Sequence, residues 1–263
     1  TLDVSAIEKA IKTVIKRHES LRSVFSADGL IMTIFEEIEP LITFQDLSTV
    51  SISKRESLLE DYLKKEVETN FDLVNGPLIR FGIIKLSDLE YRFVITTHHI
   101  ICDGWSMSII LQDLSTLYSA YVKNISPTIQ SPASFSNYAD ELQTLIESKE
   151  YKKIESFWVN LYQQHIPVVD LPTDYTRHSL RTYKCDRIDI QLNNTLVENL
   201  KKTGAQSGCG FVSTLISAFE IFLYQLTGDN YLTLGLPTAG QSSSGMTHLV
   251  GHCVNLLPLR THI

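Results

Sequence analysis

Along this chain, apolar positions recur at two spacings, every second residue or every third to fourth, and each switch between the two marks a new element. Ile7, Ala10, Ile11, Val14 and Ile15 fall on one helical stripe that predicts a helix to Arg17, with capping-box spacing at Ser5-Ala6-Ile7-Glu8 and one face packed on a sheet. Ser23-Val24-Phe25 and Leu30 to Phe35 flank Asp28-Gly29 as a hairpin. Leu58, Leu59, Tyr62, Leu63 and Val67 define a second amphipathic helix over Ser53 to Glu68, and the turn-rich Asn75-Gly76-Pro77 leads into two central strands, Leu78 to Leu86 and Tyr91 to Thr97. Helical spacing resumes from Ser106 to Val122, a polar loop covers Asn124 to Ser134, and Phe135 to His165 reads as two further helices. Pro167 to Arg181 has two prolines and no periodicity, which predicts a linker. The pattern then restarts with a strand at Tyr183 to Leu192 and helices at Leu196 to Ala205 and Phe211 to Tyr224. Buried strands follow at Tyr231 to Pro237 and Leu249 to Leu259, around the Gly240 to Gly245 loop. Strands and helices alternating on both sides of a linker predict an α/β (α+β) protein of two lobes, 1–168 and 169–263, with mixed sheets flanked by helices.

Composition narrows the function. The 263 residues, 43% hydrophobic, are enough to bury one large core or two smaller ones. A formal net charge of −7 with scattered lysines offers no basic field to a phosphate backbone, so nucleic acid is excluded as a partner. No apolar run approaches the roughly 20 residues needed to span a bilayer, and Thr1 opens directly into amphipathic sequence. A soluble, cytoplasmic protein without membrane partners is expected. Cys102, Cys185, Cys209 and Cys253 form no CxxC pair and are expected as reduced, packed thiols.

The chemistry concentrates in Thr97-His98-His99-Ile100-Ile101-Cys102-Asp103-Gly104-Trp105-Ser106, a polar knot between an apolar strand and a helix. Side chains alternate along extended backbone, so His98 and His99 cannot both line one cavity. In the HxxxDG pattern of His99, Asp103 and Gly104, an imidazole at the mouth of a cleft can serve acyl transfer. The aspartate would shape the loop and the glycine would leave room for a substrate arm. For an isolated HxxxD, a core histidine beside a helix-capping aspartate is the plainer reading. A metal site at His248 and His252 is set aside, because residues four apart on a strand lie about 13 Å apart.

Further stretches decide between these readings. Arg17-His18-Glu19-Ser20-Leu21-Arg22-Ser23-Val24-Phe25 is similar to RHExLRTxF, and His98 to Ser106 to HHxxxDGxS. Tyr138-Ala139-Asp140 matches the start of YxDYAxW, and Val250 to Arg260 is similar to VGxFVNTLPLR. Together they resemble the condensation domains of nonribosomal peptide synthetases, within the chloramphenicol-acetyltransferase-like superfamily. The resemblance implies the two-lobed fold of that superfamily, with this chain incomplete at both ends, its second lobe truncated and its competence alone poor. It implies peptide-bond formation between a carrier-bound acyl or peptidyl thioester and a carrier-bound aminoacyl amine. The partners would be upstream and downstream peptidyl carrier protein domains and neighbouring synthetase modules. No cofactor or metal would be bound directly, the substrates arriving on 4'-phosphopantetheine. His99 would be the catalytic residue, with His98, Asp103, Gly104, Trp105 and Arg260 forming the active-site loop and its support. Arg260, otherwise a surface charge at a strand end, would pair with Asp103. Tyr138 is expected to pack, Asp140 to be solvated, and Arg17, Glu19 and Arg22 to shape the first helix-strand turn. The alternatives within the superfamily are an epimerase-type member, a catalytically silent carrier-binding module and a small-molecule acyl-CoA transferase.

Overall fold

A computed structural model describes residues 1–163, 168–176, 179–180, 182 and 185–263. The chain forms two compact units interleaved in sequence: residues 1–154 with 238–255, and residues 155–237 with 256–263.

In the first unit, helix α1 (Val4–Arg17) starts two residues earlier than capping-box spacing suggests. Its N-cap is Asp3, whose carboxylate accepts from the Ala6 amide at 2.9 Å. Asp3 reaches an otherwise orphaned first-turn amide, so Ser5 lies inside the helix. The apolar stripe is buried as expected, but much of it meets a helix, α3 (Gly104–Val122), as well as the sheet. Strands β1 (Ser23–Phe25) and β2 (Met32–Ile34) pair antiparallel around the Asp28-Gly29 turn.

The main sheet has the order β3-β4-β5. Strand β4 (Ile79–Lys85) is central, antiparallel to β5 (Tyr91–Thr97) and parallel to β3 (Leu41–Asp46). β3 is an edge strand with no strong apolar alternation, and the hydrophobic pattern did not reveal it. β4 is buried on both faces, and its two-residue period sorts the layers. Ile79, Phe81 and Ile83 enter one core with Ile11 and Val14 of α1 and Ile110, Leu114 and Leu117 of α3. Arg80, Gly82 and Ile84 face helix α2 (Ile52–Glu68): Ile84 packs with Leu58, Leu59 and Tyr62, and Arg80 Nε donates to Glu66 at 3.0 Å. The unit is thus α/β, with helices on both faces of a mixed sheet. Helix α4 (Phe135–Ile146) adds Tyr138 to a smaller buried cluster with Leu249 and Cys253.

Helix α5 (Lys149–Tyr162) begins in the first unit and ends in the second. The helical expectation to His165 and the linker expectation over Pro167 to Arg181 fall partly on residues outside those described, namely 164–167, 177–178 and 181. The remaining linker residues have neither helix nor strand. The strand expected over Tyr183 to Leu192 does not form over 185–192, and residues 183 and 184 lie outside the described set. Alternation supplies a strand with one apolar face but not with a ladder partner, and Ile188 and Ile190 stay exposed. Helices α6 (Asn194–Gln206) and α7 (Phe211–Thr227) pack together, and β6 (Tyr231–Ala239) pairs with β7 (Val254–His262). The turn at the end of β6 is a short helix, α8 (Gly240–Ser244), where a loop is expected.

Candidate functional site

Strand β5 ends at Thr97, but its neighbour pairing continues for one more bond, from the His98 amide to Leu78 O at 3.0 Å. The chain then turns: the amides of Ile101 and Cys102 donate back to the carbonyls of His98 and His99 at 3.1 and 3.4 Å. The two histidines diverge here. His98 is partly buried with its ring edge-on to Phe71, and its Nδ1 accepts from the Ile100 amide at 3.1 Å. Burial, reinforced by His99 beside it, lowers its pKa, so His98 is held neutral. His99 is exposed, and its Nδ1 lies 3.1 Å from Nδ1 of His252.

Asp103 caps α3 and is almost fully buried. Its Oδ1 accepts from the Ser106 amide at 2.8 Å and lies 2.7 Å from Ser106 Oγ. Its Oδ2 accepts from Gln241 Nε2 at 2.9 Å and from the Cys253 amide at 3.1 Å. Burial alone pushes this carboxyl up, but the bonds from Ser106, Gln241 and Cys253 together outweigh it and bring the pKa below the ordinary 3.8. These neutral donors all come from its own unit. Arg260 belongs to the second unit, where its guanidinium donates to Leu161 O and its centre lies 5.8 Å from the rings of both Tyr162 and Tyr231.

The remaining motif residues staple the same place. Trp105 Nε1 donates to Thr247 O at 3.0 Å, and Ser20 Oγ to Val250 O at 2.8 Å. The Gly251 amide donates to Ser106 Oγ at 3.0 Å, and the single Ser106 hydroxyl hydrogen can serve either Asp103 or Gly251 O at 2.8 Å. These bonds account for a departure from expectation: of the strand expected over Leu249 to Leu259, the part before Val254 is a loop, because its backbone groups are satisfied by motif side chains instead of a ladder. His18 and Arg17 both reach Asp113 Oδ2 of α3, at 2.9 and 3.2 Å, while Glu19 accepts from the Ser136 amide and hydroxyl at the start of α4, each at 2.9 Å. The Arg17 to Arg22 stretch therefore joins helices and does not line a reactive surface.

Gly104 has no atom beyond its own chain neighbours and helix backbone within 4 Å of where a Cβ would lie, so α3 begins beside open space. Neither nearby thiol is a nucleophile at neutral pH: burial pushes Cys102 up to about 11, and burial plus the Asp103 charge pushes Cys253 up to about 12. Gln241 is a site residue that sequence reasoning passed over, and His252 is one that it weighed only as a metal ligand. Gln241 sits in a Gly/Ser-rich loop that reads only as a turn, and His252 fills a variable position of its motif.

A profile of the condensation-domain family, described as Condensation domain, matches residues 1–263. The chain belongs to that family. Bacitracin synthase 3 from Bacillus licheniformis is 30% identical over 261 residues, covering 99% of this chain and 4% of that protein's length. Among solved structures, the first condensation domain of the CDA synthetase superposes with a TM-score of 0.84 at 18% identity, over 100% of this chain and 62% of that one. The epimerization domain from the third module of tyrocidine synthetase B gives 0.84 at 22% identity, over 98% and 60%. The condensation-domain fold thus extends across the whole chain, which spans about three fifths of these solved chains and a small part of the synthase.

Within this family member, Gly240 has a steric reason to be glycine. A Cβ there would lie 2.4 Å from the Cys253 carbonyl oxygen and 2.5 Å from the Tyr138 hydroxyl. Because the first obstacle is backbone, and the Cys253 amide holds Asp103, Gly240→Ala is expected to cost about 1–3 kcal/mol. A thermal melt checks this; a midpoint equal to that of the parent would show that the loop yields freely.

Proposed function

We propose that the chain catalyses amide-bond formation, in which the amine of an aminoacyl thioester on one peptidyl carrier protein attacks an acyl or peptidyl thioester on another. Both substrates would arrive on 4'-phosphopantetheine, within a cytoplasmic synthetase whose neighbouring modules supply the carriers. The observation that carries this reading is the exposed His99 imidazole on a loop whose conformation is set by the buried Asp103, with open space at Gly104 of the same loop.

The barrier shows what such a site must supply. An α-amine with a pKa near 8 is already roughly a tenth neutral at pH 7, so removing its proton beforehand saves only about 1.4 kcal/mol. Orientation of the two thioesters can contribute about 7–11 kcal/mol. His99 then acts by accepting a hydrogen bond from the attacking amine and taking its proton as the tetrahedral species forms. The proton passes on to the departing thiolate, which leaves as the carrier's thiol.

The full-length protein, incubated with acyl-loaded and aminoacyl-loaded carrier proteins, is expected to yield an extended aminoacyl thioester on the acceptor carrier, detected by intact mass. An inverted Cα centre without chain extension would assign the epimerase-type reading instead, which the similarity to an epimerization domain makes worth scoring in the same assay. Carrier binding with neither product would assign the silent module.

A further inference from the structure

The contact between His99 and His252 joins like atoms. Nδ1 faces Nδ1 at 3.1 Å, with ring centroids 4.9 Å apart and planes at 80°. A hydrogen bond across this gap needs one proton and one lone pair, so the two rings must differ: one is protonated at Nδ1 and the other is not. The choice decides what His99 can do. With the shared proton on His252, neutral His99 carries its own proton on Nε2 and has no lone pair left for an incoming amine. With the proton on His99 Nδ1, Nε2 is free to accept.

His252 is held in place to serve as the partner in that second arrangement. Its two neighbours are pinned: the Gly251 amide donates to Ser106 Oγ, and the Cys253 amide to Asp103 Oδ2. The residue between them projects from a fixed backbone. The carboxylate that could have oriented His99 is not available for the task, because Asp103 is committed to Ser106, Gln241 and Cys253. The neutral tautomer of a histidine is set by the hydrogen bond its other nitrogen makes, and His252 supplies the only ring nitrogen that the described residues of the unit place on His99.

We infer that His252 is a positioning residue that accepts a hydrogen bond from His99 Nδ1–H and so keeps His99 Nε2 unprotonated and aimed for proton transfer. The inference rests on the proposed role of His99 as proton acceptor. It also gives Asp103 an indirect part in catalysis, since the carboxylate fixes the loop that presents His252.

The test uses the full-length protein labelled with 15N-histidine, comparing the parent with His252→Phe, His252→Asn and His99→Ala. Phenylalanine keeps the ring and removes the acceptor, whereas the Asn Oδ1 falls close to the position of the His Nδ1 and can still accept. Both changes are at an exposed residue and leave the core intact. His99, assigned by the signal lost in His99→Ala, is expected to be protonated on Nδ1 in the parent and in His252→Asn, and on Nε2 in His252→Phe. His252→Phe is expected to lower kcat about 10- to 100-fold with KM for the carrier-borne substrates nearly unchanged, and His252→Asn to restore most of that loss. An Nε2-protonated His99 in the parent, or equal turnover for the Phe and Asn variants, would overturn the inference. If His99→Ala itself keeps full turnover, the proton-acceptor reading fails, while the spectra still report separately whether His252 sets the tautomer.

Discussion

His99→Ala is expected to lower amide formation by about 100- to 10,000-fold, the range for loss of a positioned acid-base group, while carrier proteins bind as before. The separation of the two effects follows from structure. His99 is exposed and, among the described residues, bonded through its ring only to His252, so truncating it is expected to leave the core and the Asp103 network untouched. Under the proposed reaction, the residual rate would report what orientation alone achieves, since the amine would already be partly neutral and placing the two thioesters can supply most of the acceleration. Single-turnover measurement with pre-loaded carriers isolates the chemical step. A loss below tenfold would strip His99 of a proton-transfer role, and weakened carrier binding would show that the substitution disturbs more than the imidazole.

Asp103→Ala is expected to act through stability. It strands the Ser106 amide, Gln241 Nε2 and the Cys253 amide in a buried site. At about 1–3 kcal/mol for each buried group left unsatisfied, the total is about 3–5 kcal/mol after relaxation. In a protein of this size that is roughly a 10 °C fall in melting temperature. Gln241→Ala removes one of the same bonds, so the double variant should lose less than the sum of the singles. Melting within about 2 °C of the parent, or strict additivity, would show that the network is not what holds the loop.

Acid should probe the same groups. The carboxyls of Asp103, Asp113 and Glu19 all have folded pKa values below their ordinary ones. The unfolded chain therefore binds more protons below about pH 4, and stability falls as pH falls through that window. His98, whose pKa is also lowered, begins to add to the loss as pH drops through 6.5, because the unfolded state takes its proton first. Asp103→Asn, which keeps an acceptor for Ser106 but sets donor against donor at Gln241, should melt lower at neutral pH and show a shallower decline below pH 4.

Much of the fold is legible in local pattern. The stripe of Ile7 to Ile15, the two-sided burial of β4 and the strand-to-helix position of His98 to Ser106 all follow from spacing, because helix and strand present side chains at fixed periods. Where local signals compete, they misplace elements. Asp3 and Ser5 can both cap a helix, and which amide is reached depends on how the chain enters the turn. Residues 185–192 carry a strand's alternation yet pair with no strand among the described residues, and β3 pairs well without advertising itself.

The strand-to-helix loop, its polar residues and the family to which they belong are determined by the sequence, because motif chemistry is local. What only tertiary structure decides is how the motifs use one another. Ser20 reaches Val250 across 230 positions, Ser106 reaches Gly251 across 145, Asp103 reaches Cys253 across 150 and His99 meets His252 across 153. No periodicity encodes such pairs. They arise because a loop that gives up its ladder must satisfy each buried backbone group with some other partner, and the folded chain brings the side chains of distant motifs to it.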